Sequence, residues 1–310
     1  MPHMDILCKN YKGASLKSLY TQIKGVTMQR FSTSLLGQAK TLLLATDGSH
    51  FSDGAVQEAI FFGQACRARV FVLHVVPIDA ESIKAANSTV MKHQQEIAPH
   101  FDHIRKMARD SGVEIEVVVV GSDKPERTIV EQARLRNADA ILMGRHGKTG
   151  RMSLLVGSMT AKVIDQGFPR VLVVPKDFLI TGANVLLALD GSANSRLAAQ
   201  EALSLGRTCT TLERLTVMSV VTKGNDQTQA QKLVDEVCAG CRQAGLQAVC
   251  NPLVQTGNPA ELIVQAAHEW EADMILMGGR GKRFLPKMFM GSVTKNVIGR
   301  AHCAVLVVIG

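Results

Sequence analysis

Residues 138–158 read ADAILMGRHGKTGRMSLLVGS, and residues 272–292 read ADMILMGGRGKRFLPKMFMGS. Both start with Ala-Asp, pass through a short apolar run into a glycine, and then follow the spacing Gly-x2-Gly-x9-Gly-Ser. A second matched pair lies upstream of each: LLLATDGS at 42–49 and LLALDGS at 186–192. The copies are offset by 143 residues at Asp47 and Asp190 and by 134 at Gly144 and Gly278, so the second unit is the first shortened by nine. A repeat of this length sets the domain count before any element is assigned.

Within the first unit, apolar runs of strand length near 41–46, 69–76, 113–120, 139–144 and 170–175 alternate with segments of helical period near 52–67, 90–111, 125–137 and 158–167. The second unit keeps the order, with strands expected near 184–190, 214–221, 247–254, 273–278 and 303–309. Runs such as Val117-Val118-Val119-Val120 predict strands covered on both faces, as in a parallel sheet between layers of crossover helices. The fold class is therefore α/β, with two tandem five-stranded, parallel, doubly wound domains at 39–176 and 183–310. Lys176, Asp177, Thr181 and Gly182 break the pattern between them.

Composition agrees. A chain of 310 residues, 46% hydrophobic, has room for two cores. With aromatics at 4%, those cores are made from Val, Leu, Ile, Ala and Met. No apolar run approaches the roughly 18 residues a membrane span needs, so a soluble, cytoplasmic protein without a membrane partner is expected. Of the formal charge of +8, residues 1–40 supply five, through Lys9, Lys12, Lys17, Lys24, Arg30 and Lys40 against Asp5. The body carries only the remainder, interleaved with acids, and nucleic acid is not expected as a partner. Residues 1–38, with Ser15, Ser18, Ser32 and Ser34, superficially have the composition of a transit peptide but no apolar segment with a cleavage site. They are read as an unordered basic leader, dispensable for folding and binding, with Met28 as an alternative start. Seven cysteines are scattered, and one Cys238-x2-Cys241 pair on a helix predicts small core residues rather than a metal site.

Open parallel sheets bind ligands beyond the carboxyl ends of their strands, where strand order reverses. The first strand of each unit ends there in Asp47-Gly48-Ser49 or Asp190-Gly191-Ser192. Ser52 and Ser195 are expected to cap the helices that follow. Asp-Gly is also an ordinary turn dipeptide, so these aspartates alone leave the ligand question open. The fourth strand adds Gly144, Gly147, Gly157 and Ser158 in one unit and Gly278, Gly281, Gly291 and Ser292 in the other. Glycine lets a backbone approach an anion closely, and a helix N-terminus offers unpaired N–H groups, so a phosphate chain is the natural guest. A single charge at a helix terminus contributes about 0.3–1 kcal/mol, whereas micromolar binding needs about 8 kcal/mol. Several amides, a base pocket and a ribose contact must therefore act together. His74 is read as a satisfied histidine at a strand end rather than a ligand or base.

On these motifs both repeats resemble universal stress protein domains, over about 41–175 and 184–309, with the Rossmann-like sheet of that family. The resemblance to its ATP-binding branch implies an adenine nucleotide, ATP with or without Mg²⁺, as ligand. It assigns phosphate to Gly144, Gly147, Gly157 and Ser158, and to Gly278, Gly281, Gly291 and Ser292. It gives the ribose or adenine side to Asp47 and Asp190, and the adenine pocket to backbone groups at Val75 and Val220. It further implies self-association of the two repeats through their last strands, 170–175 and 303–309, as an intramolecular pseudo-dimer. The second repeat departs from the pattern at Arg283, Phe284 and Pro286, where the first has Thr149, Gly150 and Arg151, and at Met218-Ser219-Val220, where the first has His74-Val75.

The function implied is a nucleotide-dependent stress regulator. The sequence contains no G-x4-G-K-[ST] loop, no second acid spaced for a Mg²⁺ pair and no nucleophile paired with a base, so no catalytic residue is named. Slow hydrolysis or self-phosphorylation is the most the resemblance allows. An enzyme of the ATP-pyrophosphatase type would carry a Ser-Gly-Gly loop where this chain has Asp-Gly-Ser. A scaffold that binds no nucleotide is the third reading, and the glycine motifs of both repeats speak against it.

Overall fold

The computed structural model describes residues 39–78, 83–147, 156–208, 211–222, 227–246, 248–281 and 290–310. The leader falls outside them. In the first repeat β1 (Thr41–Ala45), α1 (Asp53–Cys66), β2 (Arg69–Pro77), α2 (Ile83–Asp110), β3 (Ile115–Ser122), α3 (Pro125–Leu135), β4 (Ala140–Gly144), α4 (Ser158–Asp165) and β5 (Arg170–Val174) follow one another. A 3-10 turn at His50–Ser52 precedes α1. The second repeat runs β6 (Asn184–Leu189), α5 (Ala193–Thr208), β7 (Arg214–Val221), α6 (Gln227–Gln243), β8 (Val249–Thr256), α7 (Pro259–Glu269), β9 (Met274–Gly278), α8 (Ser292–Arg300) and β10 (Ala304–Val308).

The strands form one sheet in the order β3-β2-β1-β4-β5-β10-β9-β6-β7-β8. Every neighbouring pair is parallel except β5 and β10, which run antiparallel with Leu172 opposite Leu306 and Val173 opposite Val305. In each half the order reverses beside the first strand: β1 lies between β2 and β4, and β6 between β7 and β9. These are the two crevices that the alternating strands and helices place at carboxyl strand ends.

Alternation along each strand sends side chains to opposite faces. Leu42 and Leu44 join a core under α1, α2, α5 and α6, while Leu43 and Ala45 join one under α3, α4, α7 and α8. Both cores run through both repeats. The Val117–Val120 run is covered on alternate sides by these cores, yet it is only half-buried, because β3 is an edge strand. Burial was therefore overestimated from an apolar run that marks a sheet end. The opposite edge, β8, contains Pro252, a residue with no N–H to donate and suited to an unpaired side. Helix α2 begins seven residues before the position expected: Ala85 and Ala86 favour helix, whereas Asn87, Ser88 and Thr89 mask it in the sequence pattern.

The Ala-Asp that opens each quoted stretch staples a strand. Asp139 Oδ2 accepts from the Lys40 and Thr41 amides at 2.7 and 3.0 Å, where β1 starts. Asp273 Oδ2 accepts from the Ala183 amide at 3.0 Å and from the Thr181 hydroxyl, where β6 starts. On the other side of the join, the Ile180 amide donates to buried Glu58 of α1 at 2.9 Å. The segment between the repeats is thus hydrogen-bonded to each of them.

Candidate functional site

In the first crevice the chain turns sharply at Gly48, whose φ of +78° is the left-handed conformation glycine tolerates; Gly191 repeats this at +75°. Asp47 Oδ1 accepts from the Ser49 amide at 3.0 Å and from the Ser49 hydroxyl at 2.6 Å. Asp190 Oδ1 accepts from the Ser192 amide at 2.9 Å. The second carboxylate oxygen of each points across the crevice. A Cβ placed on Gly147 would lie 2.9 Å from Asp47 Oδ2, and one on Gly281 would lie 2.7 Å from Asp190 Oδ2. The fold therefore brings the first-strand aspartate and the second glycine of the motif together twice, across about 90–100 residues of chain.

The other glycines make a different kind of close approach. A Cβ on Gly144 would stand 2.8 Å from the Phe51 carbonyl, and one on Gly157 2.8 Å from the Arg145 carbonyl. On Gly278 it would meet the backbone of Asn194 and Ser195 at 2.9 Å. These three let one backbone lie against another, while Gly291 has room, its nearest neighbour being 3.5 Å away. Gly157 and Gly291 have the same φ of −57° and ψ of 143° and stand at the N-caps of α4 and α8, where a glycine has no side chain of its own to cap the helix. Ser158 and Ser292 are the exposed first residues of those helices. Val75 and Val220 sit half-buried near the ends of β2 and β7. Lys148–Arg151 and Lys282–Pro286, which the sequence pattern marks as a point of difference between the repeats, lie outside the described residues.

The expected serine caps are not formed as read. Ser52 Oγ donates to the Ser49 carbonyl at 2.8 Å, and Ser195 Oγ donates to the Ser192 carbonyl at 3.0 Å. In the second repeat the cap is Ser192, whose Oγ accepts the Ser195 amide at 3.2 Å. In the first, the 3-10 turn is inserted and Ser49 Oγ turns to Asp47 instead.

Several residues were missed in the sequence. Thr160 Oγ1 donates to the Gly144 carbonyl at 2.9 Å, and Thr294 Oγ1 to the Gly278 carbonyl at 3.0 Å, tying each helix start to the strand end. The signal was legible as the matched Gly-Ser-Met-Thr and Gly-Ser-Val-Thr. Thr46 was not. Its hydroxyl lies 2.9 Å from Ser52 Oγ and 3.0 Å from His100 Nε2, and accepts the Gly48 amide at 3.1 Å. His74, buried as expected of a satisfied histidine, donates from Nδ1 to the Thr46 carbonyl at 2.9 Å. Burial, with help from His103 and His74 and against the pull of Asp47, lowers His100 below its ordinary range. Asp47, Gly48, His74, His93, Glu96 and Ile97 line a cleft of about 80 Å³. Arg145 is directed away from the crevice: its Nη1 donates to the Ala301 carbonyl of the second repeat at 2.5 Å, and burial lowers its pKa. Among the described residues no group of three or more His, Cys, Asp or Glu is arranged to hold a metal ion, and no helix is long and apolar enough to cross a membrane.

One mostly parallel sheet with two reversal crevices, each bounded by an aspartate and a glycine-flanked helix start, defines a tandem open-sheet α/β protein. The universal stress protein family model matches residues 38–175 and again 183–308, so the chain belongs to that family and carries two of its domains. The universal stress protein MJ0531 of Methanocaldococcus jannaschii is 34% identical over 143 residues, covering 44% of this chain and 82% of its own length. Slr1230 of Synechocystis is similar over nearly the whole: 24% identity over 291 residues, covering 86% of this chain and 99% of its own. A universal stress protein structure from Archaeoglobus fulgidus aligns with a TM-score of 0.70 at 21% identity, covering 91% of this chain and 98% of its own, and shows the same fold.

Proposed function

We propose that the chain is a nucleotide-binding regulator of the stress response, acting in the cytoplasm, with its domains at 39–176 and 183–310 working as an intramolecular pseudo-dimer joined through β5 and β10. Each crevice takes an adenine nucleotide, ATP with or without Mg²⁺. The observation that carries this reading is the doubled juxtaposition of an aspartate carboxylate with a bare glycine, in a crevice whose glycine motif ends in a helix start with glycine at its N-cap. A carboxylate accepts ribose hydroxyls, while the N–H groups and dipole of a helix start favour phosphate. A nucleoside phosphate carries both kinds of group, ribose hydroxyls and phosphate, on one molecule. The cleft at Asp47 is smaller than the roughly 300–1,000 Å³ of small-molecule sites, so it suits the inner end of the ligand, with the phosphates over Gly147, Gly157 and Ser158.

The scaffold reading has one observation in its favour. Gly144, Gly157 and Gly278 are each explained by backbone packing alone. Gly147 and Gly281 are not, and they separate the readings. Neither has a positive φ, so Val at either position meets the carboxylate rather than backbone strain. Calorimetric titration of ATP into Gly147→Val should show affinity lower by at least about tenfold, about 1.4 kcal/mol, with a smaller loss for Gly281→Val. Unchanged affinity in both, or no ATP binding by the unaltered chain, would leave the scaffold standing.

A further inference from the structure

Two histidines hold Thr46, the residue before Asp47. From β2, His74 Nδ1 donates to its carbonyl at 2.9 Å; from α2, His100 Nε2 lies 3.0 Å from its hydroxyl. Thr46 Oγ1 also accepts the Gly48 amide at 3.1 Å and lies 2.9 Å from Ser52 Oγ. Helix α2 is pressed onto the same turn. A Cβ on Gly48 would stand 2.6 Å from Ile97 Cδ1, and Ile97 and His100, three residues apart, share one face of that helix.

The protons of this network can be counted. A hydroxyl has one proton to donate and two lone pairs to accept with. Ser52 gives its proton to the Ser49 carbonyl at 2.8 Å, so toward Thr46 it can only accept. Thr46 therefore gives its own proton to Ser52, and its lone pairs take the Gly48 amide and His100. His100 must accordingly carry a proton on Nε2. The opposite tautomer would set the single Thr46 proton between two acceptors, and one of the two contacts would become lone pair against lone pair. Burial holds His100 below its ordinary range, so near neutral pH the ring has one proton, and this count decides its place.

The chain of hydrogen bonds thus runs one way, from His100 to Thr46, on to Ser52 and then to the Ser49 carbonyl. It ends on the residue whose amide and hydroxyl hold Asp47 Oδ1 at 3.0 and 2.6 Å, with Oδ2 toward Gly147. We propose that His100 is a positioning residue of the first crevice: by donating from Nε2 to Thr46 it fixes the turn that presents the Asp47 carboxylate to the ligand. This rests on the nucleotide reading of the crevice. The second crevice is an internal control, since Leu189 stands at the place of Thr46 and has no hydroxyl to continue such a chain.

Titration of ATP into the isotope-labelled full-length chain, followed by NMR at the Gly48 and Gly191 amides, reads the two crevices separately. His100→Leu should weaken binding at Gly48 by at least about tenfold, because a loosely held carboxylate is in the binding geometry less of the time, and should leave the Gly191 response unchanged. His100→Gln, which keeps an N–H at similar reach, should recover affinity to within about threefold of the unaltered chain. In the ligand-free protein the imidazole proton should sit on Nε2, protected from exchange with water, and Thr46→Val should abolish that protection. Undiminished affinity at Gly48 in His100→Leu, an equal loss at both amides, an equal loss in His100→Gln, or a proton on Nδ1 would overturn this proposal alone. ATP binding at neither crevice of the unaltered chain would overturn the nucleotide reading and this proposal together.

Discussion

The two crevices share a backbone and differ in what surrounds it. In the first repeat the residue before the aspartate is Thr46, and a polar network joins it to Ser52, His74 and His100. In the second, strand register places Leu189 at that position and Ser219 at that of His74. The glycines diverge as well: Gly157 is pressed against the Arg145 carbonyl, while Gly291 has room. What both repeats retain is the aspartate, its turn glycine and the glycine facing the carboxylate. The turn glycine is required by its left-handed backbone, but the glycine facing the carboxylate is not explained by backbone packing, and the ligand reading rests on that pairing.

The glycine contrast carries the largest expected effect. Gly157→Ala should cost about 1–3 kcal/mol, since its Cβ meets backbone that cannot swing aside, whereas Gly291→Ala should stay within about 0.5 kcal/mol. Urea denaturation of the two variants measures this, and equal losses would remove the distinction between the repeats. Next, Thr46→Val should cost about 1–2 kcal/mol, because three polar partners lose a hydrogen bond in partly buried surroundings. A neutral result would show the first-repeat network to be incidental. Smallest is the pH response. Because the folded protein holds His100 below its ordinary value near 6.5, it binds fewer protons there than the unfolded chain. Stability from this source is complete above about pH 6.5 and is lost as pH falls through the folded value. The denaturation midpoint should therefore drop on the acid side in the unaltered protein and drop less in His100→Asn; parallel curves would locate the proton elsewhere.

Much of this was legible because repetition and period are local properties. The succession of strands and helices follows from ten apolar runs alternating with helical segments, and the crevice from an aspartate and glycines at strand ends. The Thr46 network was not, since His100 reaches it from α2, more than fifty residues away, and no pattern at Thr46 announces a partner. Ser52 and Ser195 were misread for a subtler reason. Asp-Gly-Ser-x-x-Ser offers two candidate caps three residues apart, and the choice depends on whether a 3-10 turn intervenes. Cys238 and Cys241 were legible, because their spacing puts both on one helical face and the structure buries that face against the core.

The antiparallel seam between β5 and β10 has a consequence for how such a molecule can change over time. Two separate chains meeting through these strands would part on dilution, and every chain would have to remain a good match for its own copy. Here the segment between Val174 and Asn184 holds one half at a fixed, high local concentration around the other. Arg145 reaches the Ala301 carbonyl, and the Met290 amide donates to Asp165, so the glycine loop of each half is fastened to the end of the other half's last helix. A half that always meets the same unlike neighbour is released from self-complementarity, and its crevice is free to drift toward a separate task without costing the assembly its partner.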